Sequence, residues 1–191
     1  YRARDLRLSR QVAIKVMLPE FAQLGDFSVR FRREALIMSS ISHRNIASII
    51  DYGVFEGMPF LVLELLRGVD LERWLAGLGR LPTLAEVDLI MSQALSALDT
   101  AHAASVVHRD IKPGNLFLSL EVDGSRTLKV LDFGLARVDS GPESLGAITR
   151  TQMVSGTPAY MSPEQCRSLS VGPSTDLYAL GCVLTALLQG E

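Results

Sequence analysis

Two cysteines, Cys166 and Cys182, are all that the 191 residues contain. They lack Cys-x-x-Cys spacing, and no histidine stands near either at metal-site spacing. This argues against a disulfide framework or a thiolate metal site and for reduced, cytosolic thiols. Long hydrophobic runs are also missing. The most apolar late stretch, Leu177 to Leu188, is too short to span a bilayer and is interrupted by Gly181 and Thr185. Neither charge dominates: 19 basic residues against 21 acidic ones leave a formal net charge of −2. Nucleic acid and anionic membrane are therefore not expected as main partners. There is no internal repeat, no low-complexity tract and no signal-peptide pattern. No G-x-G-x-x-G occurs either. Gly77-Leu78-Gly79 lacks its third glycine, and Gly141 to Gly146 has P-loop spacing but is followed by Ala147 where lysine is needed.

What is present suits a folded enzyme-sized unit. The chain is 48% hydrophobic, enough to bury a core, and its length fits one domain or two small lobes. Gln11 to Met17 reads as a strand, with Val12, Ile14 and Val16 on one face and Ala13, Lys15 and Met17 on the other. Phe27, Phe31, Ala35 and Met38 recur at helical spacing and predict a helix from about Asp26 to Ser40. Asn45 to Ile50 and Pro59 to Leu63 look like two further strands, with Asp51 to Met58 as the hairpin between them. Asp70 suits the N-cap of a helix from Leu71 to Leu78. Thr83-Leu84-Ala85-Glu86 is a capping box that opens a long helix through about Ala104. Its apolar stripe is expected at Leu84, Val87, Met91, Ala94, Leu95 and Leu98. The last helix, starting at Asp176, is apolar nearly all round, the pattern of a buried helix.

One stretch concentrates chemistry. His108-Arg109-Asp110-Ile111-Lys112-Pro113-Gly114-Asn115 crowds a potential base, two cations and an amide into eight residues. The Pro-Gly pair breaks any helix there, so these groups sit on a bent loop between apolar flanks and can converge. Asp132-Phe133-Gly134 follows the strand-like Leu128-Lys129-Val130-Leu131. Read singly, these are common turn and cap residues; His102 reads as an ordinary surface or interhelical histidine.

Taken together, Val12-Ala13-Ile14-Lys15, the His108 to Asn115 loop, Asp132-Phe133-Gly134 and Gly156 to Glu164 resemble the signature set of eukaryotic-type (Hanks-type) Ser/Thr protein kinases. Bacterial members are the most similar. The resemblance implies an α+β, two-lobed kinase-like fold: a small antiparallel sheet lobe with one helix, and a mostly helical large lobe. It places the small lobe at 1–63, a hinge at 64–70 and an incomplete large lobe at 71–191, with the glycine-rich loop upstream of Tyr1. It implies ATP and Mg²⁺. Lys15 would hold the α and β phosphates and pair with Glu34. Ala13 and Phe117 would sandwich the adenine, with Leu63 as gatekeeper. The backbone of Glu64 and Leu66 would bond the adenine edge, and Asp70 would reach the ribose. Asp110 would accept or orient the proton of the substrate hydroxyl, Lys112 would neutralise charge on the transferred phosphoryl group, and Asn115 and Asp132 would bind Mg²⁺. His108 would pack on Phe133, with Met38 and Ile49 completing a stack between lobes.

The same resemblance makes Leu135 to Ser155 an activation loop. Thr149 and Thr151 would be phosphorylated there, and the phosphate would order the loop against Arg109, Arg137 and Arg30. Thr157 would bond Asp110 and Lys112. Glu164 would pair with an arginine from late in the large lobe, and Asp176 would tie to the catalytic-loop backbone or act as a simple N-cap. The implied activity is transfer of the γ-phosphate of ATP to Ser/Thr hydroxyls of protein substrates, with autophosphorylation of the activation loop in a homodimer, and no nucleic-acid or membrane contact by this segment. The implied location is cytoplasmic, including the cytoplasmic side of a membrane-anchored receptor kinase. The alternative is a non-catalytic kinase-like binding module. It predicts loss of Asp110 or Asp132, and both are present.

Overall fold

The computed structural model describes residues 1–17, 25–133 and 158–190. Strands β1 (Arg2–Asp5), β2 (Arg10–Val16), β3 (Ile49–Phe55) and β4 (Met58–Glu64) form an antiparallel sheet in the order β1-β2-β4-β3. Helix α1 (Gly25–Ser40) packs on it through Phe31 and Ala35, which are buried with Met17 and Leu61. This is the predicted helix. The Phe27 side chain lies outside the described residues.

The predicted hairpin needs correction. Asp51 to Phe55 belong to β3, and the connection is only Glu56-Gly57, between the paired residues Phe55 and Met58. Both turn residues have positive φ, 49° and 77°, the geometry that matches the right-handed twist of two flanking strands. Gly53 looks like a break in the sequence, yet the Phe60 ring lies over it from the neighbouring strand. Asn45 to Ser48 do not extend β3. Ile46 instead bridges Val130 in the other lobe.

The large lobe is built on helix α3 (Leu84–Ala103) and helix α5 (Pro173–Gln189). A second sheet, β5 (Gly68–Asp70), β6 (Leu116–Leu120) and β7 (Arg126–Val130), lies beside them, with helix α2 (Leu71–Leu78) between hinge and core. The capping box of α3 is present, Thr83 and Glu86 each accepting from the other's backbone N–H. The Arg80 guanidinium bonds both Glu86 oxygens at 2.8 Å. That pairing holds the Glu86 carboxyl down at about 2.

The buried stripe of α3 is rotated from the expected one. Leu84 and Leu95 are exposed, while Val87, Ile90, Ala94, Ala97, Leu98 and Ala101 are buried. The small residues win because α5 and β7 both press on this face, and alanines allow the close approach. α5 buries Ala179, Leu180, Val183 and Leu187 but leaves Leu177, Tyr178 and Leu188 half exposed. Its N-cap is Gly172, not Asp176. Among the described residues no helix is long and apolar enough to cross a membrane.

One glycine sets how the hinge meets the large lobe. Gly68 has φ of 148°, and a Cβ there would lie 2.0 Å from the Leu118 carbonyl oxygen. Only glycine lets β5 pair with β6 here, over Phe117. Gly68→Ala should destabilise the protein by at least about 2 kcal/mol, because backbone cannot yield as a flexible side chain does. Urea denaturation checks this; an unchanged midpoint would refute it.

Candidate active site

The eight-residue loop and the end of β7 meet beside a cleft between the lobes. The cleft is a cavity of about 220 Å³, lined among others by Ala13 and Leu63 of the small sheet, Leu66 of the hinge, Phe117 of β6, and Met38, Asp132 and Phe133. Ala13 and Leu63 are cross-strand partners, so the short side chain at 13 leaves a flat apolar slot beside the hinge.

Below this slot the polar groups converge. A 3₁₀ turn, Pro113–Asn115, folds Asn115 back on Asp110. The Asn115 amide donates to the Asp110 carbonyl oxygen at 2.7 Å and to Asp110 Oδ2 at 3.0 Å. Lys112 Nζ lies 2.9 Å from the same Oδ2. With its nitrogen turned to Asp110, the amide has one atom left for other ligands, the oxygen Oδ1. The Leu131 N–H donates to the Asn115 carbonyl at 2.9 Å, which sets Asn115 beside Asp132.

Lys15 Nζ sits 2.7 Å from Asp132 Oδ1, both side chains about two-fifths exposed. The side chain of Glu34, the partner expected for Lys15, lies outside the described residues, as do Gly134, Thr149, Thr151 and Thr157.

His108 is fully buried and packs against Phe133, ring centroids 4.7 Å apart and ring planes tilted by 54°. Met38, Phe133 and partly buried Ile49 share its core. His108 Nδ1 accepts the Asp110 N–H at 3.2 Å, and Nε2 faces the Leu131 carbonyl at 2.7 Å. A carbonyl only accepts, so the proton is on Nε2 and the ring is neutral. Burial pushes its pKa below the usual histidine value, against the pull of the Asp176 charge.

The hinge shows a further ion pair that sequence reading missed. Glu64 Oε1 accepts from Lys129 Nζ and from the Ser48 N–H, each at 2.8 Å. The Glu64 N–H itself donates to the Ser48 carbonyl at 3.1 Å. Asp70 does not line the cavity; it caps α2 by accepting the Arg73 N–H at 2.8 Å.

Asp176 ties to the catalytic loop. It is fully buried, and its oxygens accept the N–H groups of His108 and Arg109 at 2.8 and 2.7 Å. His102 Nε2 is a third partner at 2.8 Å, so the ordinary histidine is an interhelical contact to the loop's anchor. Glu164, on the short helix α4 (Pro163–Cys166), accepts the Thr175 hydroxyl at 2.7 Å. That bond holds its carboxyl below the usual range.

The protein kinase domain family matches residues 1–191. The Ser/Thr-protein kinase PrkC of Bacillus subtilis is 40% identical over 191 residues, 100% of this chain and 28% of the relative. PknB of Mycobacterium tuberculosis is 39% identical over 195 residues, 99% of this chain and 30% of the relative. The chain thus spans under a third of the length of these curated relatives. Among solved structures, the kinase domain of Mycobacterium tuberculosis PknI superposes with a TM-score of 0.78 at 26% identity, covering 100% of this chain and 68% of that one. By sequence, by fold and by the residues gathered at the cleft, the chain belongs to the protein kinase domain family.

Proposed function

We propose that this chain is the catalytic part of an ATP-dependent protein Ser/Thr kinase, with a small lobe at 1–63, a hinge at 64–70 and large-lobe residues from 71 onward. The observation that carries this is the convergence of Lys112 and Asn115 on one oxygen of Asp110, joined through the Asn115–Leu131 bond to Asp132, which lines the cleft and pairs with Lys15. The donor set fits ATP·Mg²⁺. The slot is apolar and narrow at Ala13, as a purine requires. Asn115 and Asp132 offer oxygens only, which suits a hard cation, and among the described residues no group of three or more His, Cys, Asp or Glu could hold a metal alone.

Bound ATP·Mg²⁺ supplies the transferable γ-phosphoryl group. Asp110 orients the acceptor hydroxyl of a Ser or Thr and takes its proton. Lys112, already beside Asp110, balances the charge that grows on the transferred group. Lys15, now paired with Asp132, would hold phosphate oxygens when the nucleotide binds, and Asp132 would then hold the cation. Glu34 is Lys15's partner in that arrangement. Leu63 limits the depth of the slot, Glu64 and Leu66 present backbone to the adenine edge, and Phe117 packs beneath it. The protein substrate's own chain lies against Thr157, and Thr149 and Thr151 receive phosphate from a second copy. The reaction belongs in the cytoplasm, where ATP is available and Cys166 and Cys182 stay unpaired.

Three outcomes test this. In the full-length protein, Asp110→Asn should lower phosphoryl transfer by about 10²–10⁴-fold with ATP affinity kept. A wild-type protein that binds ATP without transferring phosphate would support the binding-module alternative instead. The Thr149→Ala, Thr151→Ala double variant should lose incorporated phosphate and most activity; full activity would exclude activation-loop control. The third outcome concerns pH. His108 stays neutral in the fold, while the unfolded chain takes up a proton below the ordinary value of 6.5. Stability should therefore be fully present above that pH and fall as pH drops below it. Denaturation midpoints for His108→Phe should fall less steeply between pH 6.5 and 5; parallel curves would refute the assignment.

A further inference from the structure

Arg109, the residue before Asp110, has φ of 66°. A left-handed backbone at a residue with a Cβ costs about 1–2 kcal/mol, so the surroundings must impose it. Its N–H is held by buried Asp176 Oδ1 at 2.7 Å. Its carbonyl is held by Gln165 Nε2 at 2.8 Å. The first bond fixes the peptide before the Arg109 Cα and the second fixes the peptide after it. Together they fix both dihedrals of Arg109. The second peptide also carries the Asp110 N–H, which donates to His108 Nδ1 at 3.2 Å. Holding that plane therefore sets the direction in which the Asp110 side chain leaves the backbone.

We propose that Gln165 is a positioning residue for phosphoryl transfer: its amide clamps the Arg109–Asp110 peptide and so aims Asp110. This rests on the kinase reading above. The orientation of the amide follows from its two partners. Gln165 Oε1 accepts the N–H of Ser162, the N-cap of α4, at 3.1 Å, so the nitrogen is the end that meets the Arg109 carbonyl. One side chain thus does two separable things. Its oxygen closes the capping box of α4, and its nitrogen holds the catalytic loop. A glutamate at 165 would serve the cap equally well, since capping boxes use either residue. It has no hydrogen for the Arg109 carbonyl and would set a carboxylate oxygen against it. The glutamine is needed by the loop and not by the helix. The clamp also joins the segment that follows Thr157 to the catalytic base, so order in that segment is transmitted to Asp110 through one hydrogen bond.

The test compares three variants of the full-length protein with wild type, using ATP·Mg²⁺ and a Ser/Thr acceptor peptide. Gln165→Glu should lower kcat roughly tenfold, the effect of losing the amide's bond to the half-buried Arg109 carbonyl and misaiming its neighbour. KM for ATP should stay within about twofold and the melting temperature within about 2 °C, because the cap is retained. Gln165→Met removes both ends without adding charge; it should show the same kcat loss and a lower melting temperature. Asp110→Asn sets the floor of activity. Full kcat in Gln165→Glu overturns the positioning role, as does a loss seen only in Gln165→Met, which would assign the effect to the cap. A loss in kcat matched by an equal rise in KM for ATP overturns it too. Wild-type protein no faster than Asp110→Asn would instead overturn the kinase reading, and the role with it.

Discussion

The active loop hangs from one buried carboxylate. Asp176 is fully enclosed, and a charge in that position is tolerable only when its oxygens are satisfied. They are met by two backbone N–H groups of the loop and by His102. Such charge-assisted bonds are short and strong, and the low local dielectric strengthens them further. Asp176 sits one turn into α5, whose inner face is locked into the core by Ala179, Leu180, Val183 and Leu187. The position of Asp110 is thus inherited from the packing of an apolar helix. A mutation far from the cleft that shifts α5 would move Asp110 without touching it.

The parts of this site that were legible in the sequence are those whose contacts are local. Asp110, Lys112 and Asn115 lie within six positions, and a Pro-Gly turn forces them together. The capping box of α3 is likewise complete within four residues. The parts that were not legible join residues far apart in the chain. Lys129 and Glu64 are 65 positions apart, Gln165 and Arg109 are 56 apart, and Asn45 and Leu128 are 83 apart. A single polar residue on a strand or turn has no periodicity to betray such a partner. The stripe of α3 failed for a related reason. Periodicity ranks leucine above alanine, yet the buried face of α3 includes Ala94, Ala97 and Ala101 while Leu84 and Leu95 are exposed. The hairpin failed because Gly53 looks like a turn when the ring that covers it, Phe60, belongs to the next strand.

The two lobes are joined by more than the hinge. Buried Asn45 donates to the Leu128 carbonyl at 2.8 Å and to Gln93 at 2.9 Å, and Gln93 in turn accepts the Leu128 N–H at 2.7 Å. Ala47 donates to the Val130 carbonyl and Val130 to that of Asn45. His43 reaches Ser96 on α3 at 3.2 Å. The loop that follows α1 is therefore fastened to the large lobe, although α1 itself packs on the small sheet.

That fastening makes α1 a lever with its fulcrum near Asn45. A helix rises about 1.5 Å per residue, so the position of Glu34 lies about 9 Å from the Ser40 end of α1 and Gly25 about 22 Å from it. A small tilt at the fulcrum is multiplied along that arm. The Met38 end, close to the pivot, is held in the core that contains Phe133, while the far end of the helix has the longer travel. Whatever leans on the far end of α1 thus acts with mechanical advantage on the middle of that helix, and does so without disturbing the packing that joins the lobes.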